Sequence, residues 1–298
     1  MRASSSESPA GYLPMLSVIA GIATFSAMDA MLKGASIAVG VFSALLLRNV
    51  FGTLITIPLW LAAGRPLPSR AVLAVHAQRS AITAMMAVLF FYGLVRVPLA
   101  EGIAISFIAP IVALYFAAVM LGEKIRPQAI AASVLGVVGV LVIGAGRFGT
   151  GTFSLETIKG TVAILCSAMF YAANLVFQRK QALLAGPVEI ALFQSGIVSL
   201  IFLVFSPWFA LWPDPESLRL ILGGAVFATA ALLFLSWGYA RAEAQVLVPI
   251  EYTGFLWAAL FGWLMFGEHV EPATVAGAAL IVIGCWIATR MPRPQTMV

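Results

Sequence analysis

The sequence predicts an all-α polytopic membrane protein of ten transmembrane helices, built as two five-helix repeats of inverted topology. Three observations carry that prediction. Of 298 residues, 62% are hydrophobic and only 10% are charged, against about 25% charged in an ordinary soluble domain. Mean hydropathy is +1.03. Apolar runs long enough to cross a ~30 Å hydrocarbon core, which takes about 20 residues at 1.5 Å each, recur down the chain between short Pro/Gly/charge clusters. Finally, the second half repeats landmarks of the first at a constant offset of 145 residues.

The elements follow in order. A polar tail over 1–11, with the run Ser4-Ser5-Ser6, reads as disordered. It is not expected to be a cleavable signal peptide, since only Arg2 is basic and the next apolar stretch is long enough to span. Spans are expected at 12–33, 39–63, 73–95, 99–121 and 127–146, then at 157–179, 187–208, 217–240, 244–266 and 272–290. The first repeat thus occupies 12–146, a loop 147–156, the second repeat 157–291 and a tail 292–298. Pro66 and Pro68 punctuate the end of the second span, and Pro213 and Pro215 separate the seventh from the eighth. Pro127 and Pro272 fit the first turns of the fifth and tenth. Too little chain remains for an aqueous catalytic domain. Cys166 and Cys285 both fall in apolar runs and read as core packing.

Eleven Lys and Arg, Arg79 among them, fall on the N-terminal side of the membrane and five, with Lys33 as a loop charge among them, on the other, with Arg48 inside a span. The positive side faces the cytoplasm, so both termini should be cytoplasmic, in a cytoplasmic (inner) membrane. The net charge of +5 fits contact with anionic lipid, and no basic patch with interleaved aromatics points to nucleic acid.

At the 145-residue offset Gly122-Glu123 maps onto Gly267-Glu268, Pro127 onto Pro272, Gly93 and Arg96 onto Gly238 and Arg241, and Phe25 onto Phe170. No gap is needed. Five spans is an odd number, so the second copy crosses the membrane the other way. Inverted repeats of this kind place a substrate site near the midplane between the copies.

Some of these residues also carry a family resemblance. Leu121-Gly122-Glu123-Lys124-Ile125-Arg126-Pro127 with Gly136 and Gly139, and Phe266-Gly267-Glu268-His269-Val270-Glu271-Pro272 with Gly277 and Gly284, resemble the two repeats of EamA-type carriers in the drug/metabolite transporter (DMT) superfamily. Arg48 in Leu47-Arg48-Asn49 and Pro110 match that family's Arg and Pro in the second and fourth spans, whereas Phe255 stands where a Pro is usual in the ninth. The resemblance, from about residue 15 to 290, implies a ten-helix fold and export of small metabolites, most closely like amino-acid exporters of the YddG type. It also implies a cavity lined by the first, third, fourth, sixth, eighth and ninth spans.

Charge within the membrane is costly and needs a reason. Asp29 and Arg48 sit on consecutive helices at similar depth if the turn centres near residue 36. They read either as a structural ion pair or hydrogen-bonded clamp inside the bundle, or as contacts for substrate or proton on the outward path. Asp29 lies one turn beyond Phe25, and its repeat mate Asn174 one turn beyond Phe170. An aromatic and a polar group on one face suit a zwitterion with an apolar side chain; ordinary helix packing is the alternative. Glu251 lies near the midplane two residues after Pro249, with Tyr252 and Phe255 beyond it. It could bind an ammonium or carry a proton, or be a neutral acid bonded to a neighbouring helix. Its repeat mate is Ser106, beside Phe107 and just before Pro110. Pro110 and Pro249 each free backbone carbonyls that can face a cavity.

Tyr92 with Arg96 and Trp237 with Arg241 are symmetric aromatic–basic pairs, suited to an interfacial belt or to gating at opposite faces. Glu101 and Glu243 stand near those arginines and could pair with them. Glu123 and Glu268 read as loop anchors, and His76 and His269 as surface residues near helix ends. The glycines of the fifth and tenth spans permit close helix approach.

The sequence therefore predicts a secondary carrier that exports amino acids, aromatic and other neutral ones foremost, by alternating access. A drug cation, purine or sugar derivative is the alternative cargo. No G-x-x-x-x-G-K-[ST] loop is present, so the energy would come from a gradient, with Asp29, Glu101 and Glu251 the coupling candidates. No cofactor, metal site or enzymatic activity is expected, since clustered acids, nucleophiles and H-E-x-x-H are lacking. The partners are a small-molecule substrate and membrane lipid, and a monomer is sufficient for one cavity.

Overall fold

A computed structural model describes residues 12–64, 67–109, 111–112, 127–149, 154–241, 247 and 250–289. Among these the only regular elements are helices: α1 (Tyr12–Val39), α2 (Val41–Ala62), α3 (Arg70–Leu94), α4 (Leu99–Ser106), α5 (Pro127–Gly149), α6 (Leu155–Leu184), α7 (Pro187–Phe209), α8 (Pro215–Arg241), α9 (Gly254–Phe266) and α10 (Pro272–Thr289). Six of them, α1 to α3 and α6 to α8, are long and apolar enough to cross a membrane; α5, α9 and α10 contain shorter apolar stretches. Much of the outer surface is hydrocarbon. Leu61, Leu141, Leu200, Val204 and Leu264 all point outward, and Trp208 and Trp212 are exposed at the end of α7, where aromatic side chains suit the lipid–water boundary.

Helix ends carry local signals. Ser69 and Ser154 cap α3 and α6 by accepting from Val72 and Thr157 N–H. Asp214 caps α8, taking the N–H of Glu216 and Ser217 at 2.9 and 3.0 Å. Gly40, with φ 84°, makes the turn between α1 and α2. That turn lies four residues beyond the expected one, because α1 stays helical through Ser36 to Val39. Gly267 ends α9 at φ 65°, a conformation that costs a side-chain-bearing residue energy.

Packing follows small residues. The closest helix pairs are α1 with α8, α3 with α6, α2 with α7 and α5 with α10. A Cβ on Gly93 of α3 would lie 2.5 Å from the Gly160 carbonyl on α6, and one on Gly238 of α8 would lie 3.1 Å from the Pro14 carbonyl on α1. Gly139 and Gly277 meet the same way where α5 crosses α10.

Three placements differ from expectation. Lys33, read as a loop charge, is buried in α1; its Nζ donates to the Val97 carbonyl at 2.8 Å and pairs with Glu268. Glu268 in turn accepts from Leu99 N–H at 2.7 Å, so it anchors its loop to α1 and α4 as the loop-anchor reading requires. His76 is wholly buried and is no surface residue. Cys166 is exposed on α6 and faces outward; lipid solvates an apolar thiol as well as a core does. The tail 1–11, the 122–126 motif, Pro110, Glu243 and Pro249 lie outside the described residues.

Candidate functional site

A cavity of about 200 Å³ is lined by α1, α2, α3, α4, α6, α7, α8 and the turn before α9. The second and seventh helices join the expected set because Leu45, Arg48 and Gln194 reach the cavity.

The turn before α9 shows how the chain opens there. Ile250 and Glu251 are helical, Tyr252 and Thr253 form a turn, and α9 begins at Gly254. Thr253 and Phe255 N–H bond three residues back instead of four. In the other repeat α4 stops at Ser106, and Phe107 and Ile108 likewise bond three residues back. These two breaks fall at positions 145 residues apart. At the junction the Phe107 and Tyr252 rings, themselves repeat mates, meet edge to face at 5.0 Å. Ser106 and Glu251, the residues before them, both line the cavity.

Two acids and two guanidinium groups share this space. Asp29 of α1 is buried, and its Oδ1 has no hydrogen-bond partner in the protein. No salt bridge joins it to Arg48, which donates from Nη1 to Asn49 Oδ1 at 3.0 Å and leaves its Nε unpartnered. Of the two expected readings, a direct ion pair is therefore not formed. Glu251 accepts from Tyr171 Oη at 2.9 Å and from Tyr239 Oη, so its carboxylate is held by phenols from α6 and α8. Gln194, buried on α7, has neither amide atom satisfied by protein. Unsatisfied buried polar atoms are rare. Here an acceptor, a donor and a bifunctional amide face one space.

The second guanidinium is Arg79, which its sequence position sets among the eleven basic residues of the N-terminal side. α3 in fact begins at Arg70, which puts Arg79 about 14 Å along the helix at 1.5 Å per residue. It is buried, lines the cavity and donates from Nε to Asn174 at 3.0 Å, from Nη2 to Gln178 at 3.2 Å and from Nη1 to Gln181.

Phe25, Asp29, Arg48, Ser106, Phe107, Asn174, Glu251 and Tyr252 all line the cavity. Phe170 does not: it points outward, and Tyr171 takes the inward place. The inward face of α6 is Ser167, Tyr171, Asn174 and Gln178, a polar stripe at helical spacing. Phe255 packs beside Phe107 and Tyr252 without lining the cavity. Tyr92 and Trp237 are not in the wall either. Arg96 and Arg241 fold back over their rings at 3.7 and 4.2 Å and donate to their carbonyls. Arg96 pairs with Glu156 at 2.8 Å, and Glu101 is buried in α4 beside a smaller pocket that includes Glu268 and His269.

A model described as the EamA-like transporter family matches residues 13–145 and again 158–290, two copies that start 145 residues apart. The chain is 29% identical to the pseudopaline exporter CntI of Pseudomonas aeruginosa, over 93% of this chain and 95% of that protein. It is 26% identical to the aromatic amino acid exporter YddG of Ancylobacter novellus, over 68% of this chain and 71% of that one. A crystal structure of a protein at 22% identity superposes with a TM-score of 0.65, covering 93% of this chain and 96% of the other, which shows a shared fold.

Proposed function

From the premise that the chain belongs to the EamA-like transporter family, we propose that this transporter exports amino acids and related zwitterionic metabolites by alternating access. One observation carries the reading: Asp29, Glu251, Arg48 and Arg79 all line one largely apolar cavity. A carboxylate is recognised by a planar guanidinium fork, and an ammonium by the unpartnered Asp29 oxygen or by Glu251. Phe25, Phe90, Phe91, Phe107 and Tyr252 offer the substrate side chain an aromatic wall. An organic cation fits less well, because it brings no carboxylate for Arg48 or Arg79. The relatives named above are both exporters, of different cargo, which supports outward flux and leaves selectivity to the wall.

Ten spans in two inverted repeats, 12–146 and 157–291, provide the moving parts in this reading. The equivalent pairings of α1 with α8 and α3 with α6 support it, as do the equivalent breaks after Ser106 and Glu251 and the contact of Phe107 with its mate Tyr252. The excess of basic residues on the N-terminal side supports cytoplasmic termini in an inner membrane. Tyr92 and Trp237 are proposed as interfacial anchors.

The test is flux in proteoliposomes with labelled phenylalanine, tryptophan, methionine and threonine, with and without an imposed pH gradient. Saturable flux with mutual competition is the expected result. If none of the four moves through folded protein, the amino-acid reading is wrong and cations and nucleobases become the next panel.

A further inference from the structure

Behind Arg79, away from the cavity, lies a buried polar chain that the transport reading does not use. His76 stands one turn before Arg79 on α3 and is wholly buried. Its ring stacks on Phe193 of α7 with centroids 5.0 Å apart. Nε2 faces Glu189 Oε1, also on α7, at 3.2 Å, and Nδ1 meets the side-chain amide nitrogen of Gln181 on α6. The amide oxygen of Gln181 accepts from Arg79. Among the described side chains, the charged groups facing His76 are Glu189 from α7 and Arg79 from its own helix; α6 presents the uncharged Gln181.

The polarity of this chain is fixed by what each group can do. Arginine only donates, so Gln181 must turn its oxygen to Arg79 and its NH2 to His76. Nδ1 of His76 must then accept, which leaves the ring neutral with its proton on Nε2, donated to Glu189. Protonating the ring turns Nδ1 into a donor facing a donor. Rotating the Gln181 amide by half a turn repairs that contact by offering oxygen to Nδ1–H. The same rotation presents NH2 to Arg79, which loses one of its three amide acceptors. A substrate anion in the cavity that Arg79 lines can supply an acceptor in its place.

We infer that Gln181 and His76 are positioning residues for Arg79: the Gln181 amide links protonation of His76 to release of the Arg79 guanidinium toward a substrate carboxylate. Proton and anionic group then bind with mutual reinforcement, since linkage between two binding events is reciprocal. Glu189 supplies the counter-charge that the imidazolium needs in a buried place. This inference rests on the proposed carboxylate-binding role of Arg79.

The chain has two histidines, which makes a direct measurement practical. The full-length protein carrying His269→Gln, an exposed site, is labelled with 15N-histidine and 15N-arginine in lipid nanodiscs, and the Arg79 signal is identified by its loss in Arg79→Lys. At about pH 8, above the ordinary histidine range, His76 should be the neutral Nε2–H tautomer. On acidification the Arg79 side-chain resonances should shift with the same midpoint as His76. In Gln181→Met, His76 should still titrate while Arg79 no longer responds. Apparent affinity for labelled phenylalanine should tighten roughly three- to tenfold across that midpoint, the worth of one hydrogen bond, and should be flat with pH in Gln181→Met. His76→Asn keeps an acceptor toward Gln181 but cannot titrate; it should also be flat, and it carries the test if Gln181→Met does not fold. An Nδ1–H tautomer at high pH, or an Arg79 shift that persists without Gln181, overturns the inference. If phenylalanine binds at no pH, the amino-acid reading fails by itself, while the coupled resonances still decide the role of Gln181.

Discussion

Asp29→Asn separates the two jobs that the acid in α1 could do. The substitution keeps the shape and removes the charge. Asp29 and Arg48 form no salt bridge within 4.0 Å. At an effective dielectric of 20 their attraction is then at most about 4 kcal/mol. Removing the charge also relieves the desolvation of a carboxylate that is only 4% exposed, itself a cost of several kcal/mol. The two contributions oppose each other, so stability should stay within about 1 kcal/mol of wild type. Binding has no such compensation. A hydrogen bond from the substrate ammonium to a charged acceptor contributes about 1.5–3 kcal/mol, which is roughly 10- to 150-fold in affinity. Apparent affinity for phenylalanine in proteoliposomes and the thermal unfolding midpoint in detergent should therefore move apart, the first strongly and the second little. The reverse result, a protein destabilised by the 3–5 kcal/mol of a broken buried pair yet unchanged in affinity, would make Asp29 a structural clamp.

Other perturbations follow from single contacts. Glu251→Gln keeps one acceptor for Tyr171 or Tyr239 and removes the charge, so flux assays should show at least about a tenfold weaker apparent affinity if this acid meets the ammonium. Glu268→Gln, which removes the carboxylate charge paired with buried Lys33, should destabilise by about 3–5 kcal/mol in denaturation experiments; Lys33→Met should cost less, because Glu268 is 20% exposed, and the double variant should cost less than the sum. Gly139→Ala would place a Cβ 2.6 Å from the Gly277 carbonyl, whereas a Cβ at Gly144 meets nothing within 4 Å. Thermal unfolding should therefore show a loss of about 1–3 kcal/mol for the first and almost none for Gly144→Ala. At the start of α8, hydrogen bonds from the Ser217 hydroxyl and N–H hold the Asp214 carboxyl below its usual range. A depressed carboxyl stabilises above its unfolded value and loses that contribution as pH falls through the folded one. Wild type should therefore lose stability in acid more steeply than Asp214→Ala, as read by unfolding midpoints along a pH series.

Most of the helical order was legible because lipid imposes it: a long apolar run must be helical to satisfy its own backbone, and six such helices stand where the runs lie. The cavity was half legible. Asp29, Glu251 and Arg48 stood out because each interrupts hydrocarbon. Arg79 and Lys33 did not, since a charge within a few turns of a helix end looks like a snorkelling or loop residue until the helix boundary is known. Phe170 lies one residue, or about 100° of rotation, from the inward position held by Tyr171, because equivalence to Phe25 in the repeat does not fix the direction of a side chain. The better signal was polar spacing. Ser167, Tyr171, Asn174, Gln178 and Gln181 recur at three- and four-residue steps through an otherwise apolar helix, as do His76, Arg79 and Thr83 on the helix it packs against. A polar stripe inside a span must face protein or cavity, so these two stripes could have been matched across the α3–α6 contact from sequence alone.

The repeat itself bears on how such a site could work. Landmarks that shape the backbone are shared between the copies: Gly93 and Gly238 at close crossings, the breaks after Ser106 and Glu251, and the Phe107–Tyr252 contact. Landmarks that bind charge are not shared. Asp29 is matched by Asn174, Arg48 by Phe193, Arg79 by Gly224, and Glu251 by Ser106. In the proposed inverted arrangement, equivalent halves give two conformations of similar energy that open to opposite sides, which alternating access requires. A charge set repeated with the backbone would offer the substrate two opposed poses of equal energy at the centre. A set confined to one copy of each pair fixes a single polarity, with the same acids and the same guanidinium groups holding the molecule whichever side is open. Moving one charge to its mate, as in Asp29→Asn combined with Asn174→Asp, should therefore not restore transport even though both residues line the same cavity. Restored flux would mean that the cavity reads total charge and not orientation.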